Sequence, residues 1–279
     1  GPQWTASRGT AARTTTSARR YTASGVRPAR TSAPTSNRCG HAFGGETYSG
    51  GIATGWEAGI EGLDTAGEFN DLCTGCSRCV DACPVKIDIP WINTVVRDRI
   101  NRGADSSAFD PLVERLTPDV EPGGIDLQKR LFGTFETLAR LGSATAPVSN
   151  WLADAGPVRA ALERVLGVDR RRALPAFERE TFRAWFRARE SSVADPVRRV
   201  VVYPDVYTNH VRTERGKAAV RTLEALNVDV VVSDVAASGR APLSQGMIAT
   251  AESKAHAAFA DLEPYLEDGR DVVVIEPSG

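Results

Sequence analysis

Four cysteines fall within eleven residues, Cys73-Thr-Gly-Cys76-Ser-Arg-Cys79-Val-Asp-Ala-Cys83-Pro84, and no other feature of the chain limits its fold so strongly. Thiols separated by two, two and three residues cannot spread over a sheet. The backbone has to curl so that several of them face one region. Gly75 relieves crowding in that curl, and Pro84 ends it and redirects the chain. Structural zinc takes cysteine pairs across a longer spacer, so that two knuckles close a tetrahedron. Disulfides between neighbours in one tight loop fit an oxidising, secreted scaffold poorly.

The spacing C-x2-C-x2-C-x3-C-P is that of a ferredoxin-type run for a 4Fe–4S cluster. Cys73, Cys76, Cys79 and Cys83 are the candidate metal and cofactor ligands, and the chain has thiols for one cluster at most. In two-cluster ferredoxins the fourth cysteine of such a run serves the other cluster. No second run occurs here, so two arrangements stay open. Either Cys83 folds back onto the same cluster, or Cys39 or a partner supplies the fourth ligand. Lys86 and Arg78 favour the reduced, more negative cluster, and Asp81 opposes them.

The length of 279 residues suggests about two domains at ~150 residues each. Hydrophobic residues at 42% and charged residues at 25% are ordinary for a globular protein. No apolar run approaches the ~18 residues of a transmembrane span. The net charge of -1 hides an asymmetry: residues 1–40 hold seven Arg and no acid, leaving 27 basic against 35 acidic groups in the rest. That acidic body argues against a nucleic-acid partner.

Residues 1–39 form a basic segment rich in Arg, Thr and Ser, with Trp4, Tyr21 and Val26 as its large apolar groups. So little apolar surface cannot offset roughly 1–2 kcal/mol per residue of backbone ordering, and disorder is expected. A transit peptide, a nucleic-acid-binding arm and an out-of-frame junction are the alternatives for it. The opening Gly-Pro-Gln and a lone Met247 suggest a fragment, a processed chain or a cloning remnant.

The glycine-rich stretch from Gly40 to Gly55 is expected to be neither regular helix nor central strand. It lacks the Gly-Lys-Ser/Thr ending of a P-loop. Beyond the cysteines, Pro90 opens a helix with Ile92, Val95, Val96 and Ile100 at helical spacing, stopped by Gly103. Two further helical faces are expected, one from Leu127, Leu131, Phe135 and Leu138, the other from Trp151, Val158, Leu162 and Val165. Arg170 to Arg172, Arg183, Arg187 and Arg189 read as solvated helix faces, and Trp185 and Phe186 as packing groups.

In the last 80 residues, strands at Val200–Tyr203, Val228–Val232 and Asp271–Ile275 alternate with helices, implying a parallel sheet. One intervening helix shows Ala219, Val220, Leu223 and Leu226 on one face; the other shows Ile248, Ala251, Ala255, Phe259 and Leu262. The expected fold class is α+β and multidomain. Residues 1–39 precede a ferredoxin-like helical 4Fe–4S module at 40–104. A helical linker follows at 105–197, then a partial parallel βαβαβ domain at 198–279. An end directly after a core strand again suggests truncation.

The segment HAFGGETYSGGIATGWEAGIEGLDTAGEFNDLCTGCSRCVDACPVKIDIPWI resembles the iron–sulfur proteins of bacterial and archaeal lactate-utilisation operons. Gly40, His41, Phe43, Gly44, Tyr48, Gly50 and Gly51 match the family's segment joining its two cysteine runs, and Cys73 to Ile87 match its second run. The family's large N-terminal α/β domain and first run are absent, and Cys39 lies too close to His41 to stand for that run. Residues 198–279 resemble the N-terminal part of the cysteine-rich domain of heterodisulfide-reductase-like subunits, through VVYPDVYTNHVRTERGKAAVRTLEAL, GRAPLSQGMIATA and VVVIEPS. Where that domain carries Cys-Cys-Gly, this chain has Ala237-Ser238-Gly239, so its thiolates are missing.

The resemblance implies an electron-transfer protein, an oxidoreductase component without a catalytic residue or substrate site of its own, and the reducing surroundings that a thiolate-held cluster needs lead us to expect a cytoplasmic one. Its implied partners are the other subunits of a lactate-oxidising complex and an electron acceptor. The alternatives are an iron–sulfur subunit of a glycolate or glycerol-3-phosphate dehydrogenase, and a non-redox interaction module. After the first strand of the last domain, Pro204-Asp205-Val206 stands where a dinucleotide fold has glycines. His41, His210, His256 and Ser238 read as solvated or structural.

Overall fold

The computed structural model describes residues 51–84, 86–103, 121, 125–189, 193–235 and 237–276. The expectations for residues 1–50, Cys39 and His41 among them, and for 104–120 lie outside the described residues. The described chain is a mixed α+β fold of helices and one three-stranded parallel sheet. The described residues divide into two compact units, one drawing on 51–103, 125 and 243–248, the other on the remainder.

In the first unit, helices α1 (Gly51–Ile60) and α2 (Leu63–Asn70) are joined by a turn at Gly62, whose φ of 99° suits glycine. A single turn, α3 (Arg78–Asp81), carries the third cysteine, and α4 (Ile89–Gly103) follows the loop. Pro90 lies in the first turn of α4 as expected, and the Asp88 carboxylate, which accepts from Trp91 N at 3.0 Å, caps that turn. Gly103 is its last residue.

Residues 51–55 form the first half of α1, against the expectation for the glycine-rich stretch. A helical glycine costs about 1 kcal/mol relative to alanine. Close packing offsets that cost here: a Cβ on Gly55 would stand 3.1 Å from Ile92 Cγ2. Ile52 from α1 and Ala66 from α2 join Ile92 and Val96 from α4 in one core, together with Cys79, Cys83, Ile87 and Ile89.

The second unit contains α5 (Leu127–Gly133), α6 (Phe135–Ala144), α7 (Val148–Asp154), α8 (Gly156–Leu166) and α9 (Phe182–Arg187). Strand β1 (Arg198–Tyr203) leads through α10 (Val206–His210) and α11 (Thr213–Ala225) to β2 (Val228–Val232). Helix α12 (Arg240–Ser244) straddles the division between the units. Helix α13 (Ile248–Glu267) precedes β3 (Asp271–Val274). The order is β2-β1-β3, both pairings parallel, with Val200 opposite Val230 on one side and Asp271 on the other.

The central strand is buried from Val200 to Tyr203, and its core gathers Phe182, Val202, Val220, Val228 and Val230. Trp185 and Phe186 pack against that core, Trp185 stacking on Phe182 at 5.9 Å. Three expected apolar faces are less buried than their periodicity implies. Trp151 is 72% exposed, and Val165, Leu226 and Phe259 also face outward. Leu226 follows the last turn of α11 as its cap, where the helical period no longer controls direction. Leu127 and Phe135 belong to different helices, because the chain breaks at Thr134.

The arginines also divide. Arg170 and Arg171 are exposed and paired with Glu163 and Asp169, as a solvated surface requires. Arg189 is partly buried, pairs with Glu224 at 2.5 and 2.7 Å, and lies over Phe186. Arg183 departs furthest from expectation. Its Nε and Nη2 are buried without a hydrogen-bond partner, and burial pushes its guanidinium pKa down.

Candidate iron–sulfur site

The loop between α2 and α4 carries the four cysteines on a backbone that turns sharply at left-handed positions. Gly75 has φ 66° with open space where a Cβ would lie, and Ser77 has φ 59°. Val80 N–H donates to Ser77 O at 2.9 Å and Cys83 N–H to Val80 O at 3.1 Å, closing the turn that carries Cys79 and Cys83.

All four thiols are free. Cys76 is exposed and Cys73 half-buried, whereas Cys79 is 7% and Cys83 1% exposed, both within the apolar core of this unit. Cys79 senses both Cys73 and Cys76. The Cys79 thiol is pushed up to about 11, first by burial and then by the charges of Cys73 and Cys76. Accumulating thiolates this close is unfavourable without a counter-charge, and bound iron supplies one. The Cys83 Sγ accepts from Ile87 N at 3.4 Å, the kind of N–H···S contact that tunes a cluster's potential.

Among the described residues, no three His, Cys, Asp or Glu side chains gather as a single metal ion requires. A mononuclear zinc site draws every thiolate to ~2.3 Å from one centre. A four-iron cage differs, since each thiolate binds its own iron and the ligands stand further apart. Four unpaired thiols on one loop are the donor type and number that such a cage takes, Cys79 and Cys83 being buried and Cys76 facing water.

Two further residues hold the loop, and neither belongs to the cysteine motif. Lys86 Nζ donates to Asp81 O at 2.9 Å, so its cation stays beside the loop. Arg97, 4% exposed, donates from Nη2 to the carbonyls of Asn70 at 2.7 Å and Cys73 at 2.6 Å. Sequence reading misses Arg97 because the helical period draws attention to its apolar neighbours Val95 and Val96. A basic residue inside an otherwise buried helical face was the available signal.

The second unit's histidine and serine candidates are structural. Asn209 Oδ1 accepts from Arg183 N at 3.1 Å, which orients the amide so that Nδ2 donates to His210 Nε2 at 3.0 Å. His210 Nδ1–H then donates to Ser143 Oγ at 2.9 Å. The imidazole is buried and neutral, its pKa held down by burial and then by Arg183. Its Nδ1–H is a hydrogen-bond donor to the serine oxygen, so the ring is not placed to act as a base for that hydroxyl. Ser238 hydrogen-bonds the Tyr203 hydroxyl, and His256 is exposed beside Glu252 at 4.0 Å. No helix among the described residues is long and apolar enough to cross a membrane.

A 4Fe-4S binding domain family matches residues 69–87, the segment that holds all four cysteines. The chain is similar to one of the subunits of anaerobic glycerol-3-phosphate dehydrogenase, in Escherichia coli K12 and in Escherichia coli O157:H7. Each of the two relatives is 24% identical over 119 residues, which is 43% of this chain and 30% of the relative's length. The chain thus covers less than a third of those curated relatives. No solved structure matches it. With the loop geometry, the family match makes this an iron–sulfur protein with a 4Fe–4S cluster domain at residues 69–87.

Proposed function

We propose that this chain carries electrons for an assembly oxidising lactate or a similar 2-hydroxy acid, with Cys73, Cys76, Cys79 and Cys83 as the cluster's thiolate ligands. The observation that carries the reading is the set of four unpaired thiols on one loop, two of them buried in the apolar core and one exposed. A 4Fe–4S cluster supplies one-electron transfer when bound. The chain's own residues would do the rest. The Ile52, Ile87, Ile89 and Ile92 side chains exclude water from the Cys79 and Cys83 side. The Ile87 N–H draws electron density from the Cys83 sulfur, which favours the reduced state. Cys76, facing water, marks the side open to an electron partner.

Oxidation of the substrate needs a two-electron acceptor, which we assign to a partner protein. The second unit is poorly suited to a dinucleotide. Beyond β1 the Asp205 carboxylate accepts from Tyr207 N at 2.8 Å and Thr208 N at 3.1 Å, putting a negative charge where a pyrophosphate would sit. The 2-hydroxy-acid class rests on the resemblance of residues 41–102 to lactate-utilisation proteins. The similarity to subunits of glycerol-3-phosphate dehydrogenase favours a second reading, in which glycerol 3-phosphate is the electron source.

The test is anaerobic purification followed by reduction. Dithionite should bleach a brown chain and produce the paramagnetic signal of a reduced four-iron cluster. A colourless chain containing zinc contradicts electron transfer. In anaerobic extract of the source cells, reduction of the cluster by L-lactate but not glycerol 3-phosphate supports the first reading, and the reverse supports the second.

A further inference from the structure

We propose that Arg97 is a positioning residue for the cluster loop and that its buried cation biases the cluster toward the reduced state. This rests on the ligand assignment above. The guanidinium ties helix α4 to two separate stretches of chain, 70–73 and 244. Nη2 binds the Asn70 and Cys73 carbonyls at 2.7 and 2.6 Å, Nη1 donates to Ser244 O at 3.0 Å, and Nε donates to Asp71 Oδ1 at 3.2 Å. Cys73 N–H also donates to Asn70 O at 3.2 Å. The turn delivering the first cysteine is therefore closed from both sides, once by its own backbone and once by Arg97.

Carbonyl oxygens do not require a cation; a neutral amide could satisfy two of them. Burying a guanidinium instead carries a desolvation cost of several kcal/mol unless its donors are well used. What the charge adds is a fixed positive potential one peptide unit from a thiolate. The side chain facing it, Asp71, is 54% exposed and so strongly screened, while Arg97 is almost fully enclosed. The net field at Cys73 favours the more negative cluster. Leu243–Ile248 belongs to the same compact unit and completes the setting, with Ser244 O on Arg97 and Gln245 O accepting from Asn101 Nδ2 at 2.8 Å.

The experiment compares the full chain with Arg97→Gln, Arg97→Lys and Asp71→Asn, each purified anaerobically, for iron content, paramagnetic signature and midpoint potential. Arg97→Gln should be harder to reduce by about tenfold in the one-electron equilibrium, equivalent to 59 mV. Arg97→Lys should recover part of that loss, because it keeps the charge and gives up the fork. Asp71→Asn removes none of the groups that make the Arg97 carbonyl contacts and should shift the potential the other way, by less than Arg97→Gln does because the Asp71 charge is screened. That variant keeps the inference open to contradiction even if Arg97→Gln does not fold. Iron-loaded variants whose potentials all equal that of the parent overturn the role of Arg97 alone. A parent chain that binds no iron overturns the ligand assignment, and this inference with it.

Discussion

Gly246 lies against Arg97 so closely that a Cβ at Gly246 would stand 2.5 Å from Arg97 Cβ and 2.8 Å from backbone atoms of Arg97 and Asp98. Its φ of 74° is also a conformation that side chains disfavour. Segment 243–248 can approach α4 only because residue 246 lacks a side chain. Gly246→Ala is expected to destabilise the first unit by about 1–3 kcal/mol, as overpacking with backbone strain does. Urea denaturation of the full chain measures the loss, and a stability equal to the parent's would contradict the close docking.

The four thiols should differ in reactivity once the iron is removed. Cys76 is exposed, whereas Cys79 is buried with its thiol pushed up to about 11 from 9.0. At pH 8 that lowers the Cys79 thiolate fraction about a hundredfold relative to an unshifted thiol. Iodoacetamide labelling of the iron-free folded chain, followed by peptide mass spectrometry, should modify Cys76 first and Cys79 far more slowly. Equal rates would place Cys79 in water.

His210 makes the second unit acid-sensitive. Its pKa is lowered in the fold, chiefly by burial, so below about 6.5 the unfolded chain binds a proton that the folded chain resists. The stability from the neutral imidazole is present above that pH and is lost as pH falls toward the lowered folded value. Thermal melts between pH 7.5 and 5 should show the transition falling, with a shallower slope in His210→Gln. Identical slopes would mean that His210 titrates as an open surface residue.

Gly216 is another position where a missing side chain lets elements meet. A Cβ there would stand 2.7 Å from Phe182 Cδ2 and 2.8 Å from Thr208 Cγ2, both belonging to buried residues. Alanine is favoured in a helix by about 1 kcal/mol, but the clash with Phe182 should outweigh it. We expect Gly216→Ala to destabilise by about 1–2 kcal/mol in denaturant titration. A stabilised variant would show that Phe182 can move aside.

The cysteine loop and the three strands were legible in the sequence because each is a local pattern. Thiol spacing, a turn glycine and runs of valine need no knowledge of what lies across the fold. Helix α1 was not legible, since Gly51 and Gly55 argue against a helix until Ile92 is known to lie over Gly55. Arg97 and Arg183 were hidden for the same reason: surface arginines and buried ones look alike in sequence, and only the Cys73 carbonyl or the lack of a partner separates them. Trp151 and Val165 erred the other way. Their spacing is helical, but the helices that carry them leave these two positions facing outward.

Iron and acid-labile sulfide counted per chain decide whether the four cysteines hold a cluster, in the parent and in Cys76→Ser, both prepared without air. About four of each are expected per parent chain, and nearly all of both should be lost in the variant. Cys76 is exposed, so its replacement should leave the apolar core in place and isolate the ligand effect. Unchanged iron in Cys76→Ser, or a parent chain with zinc and no sulfide, would contradict the ligand assignment.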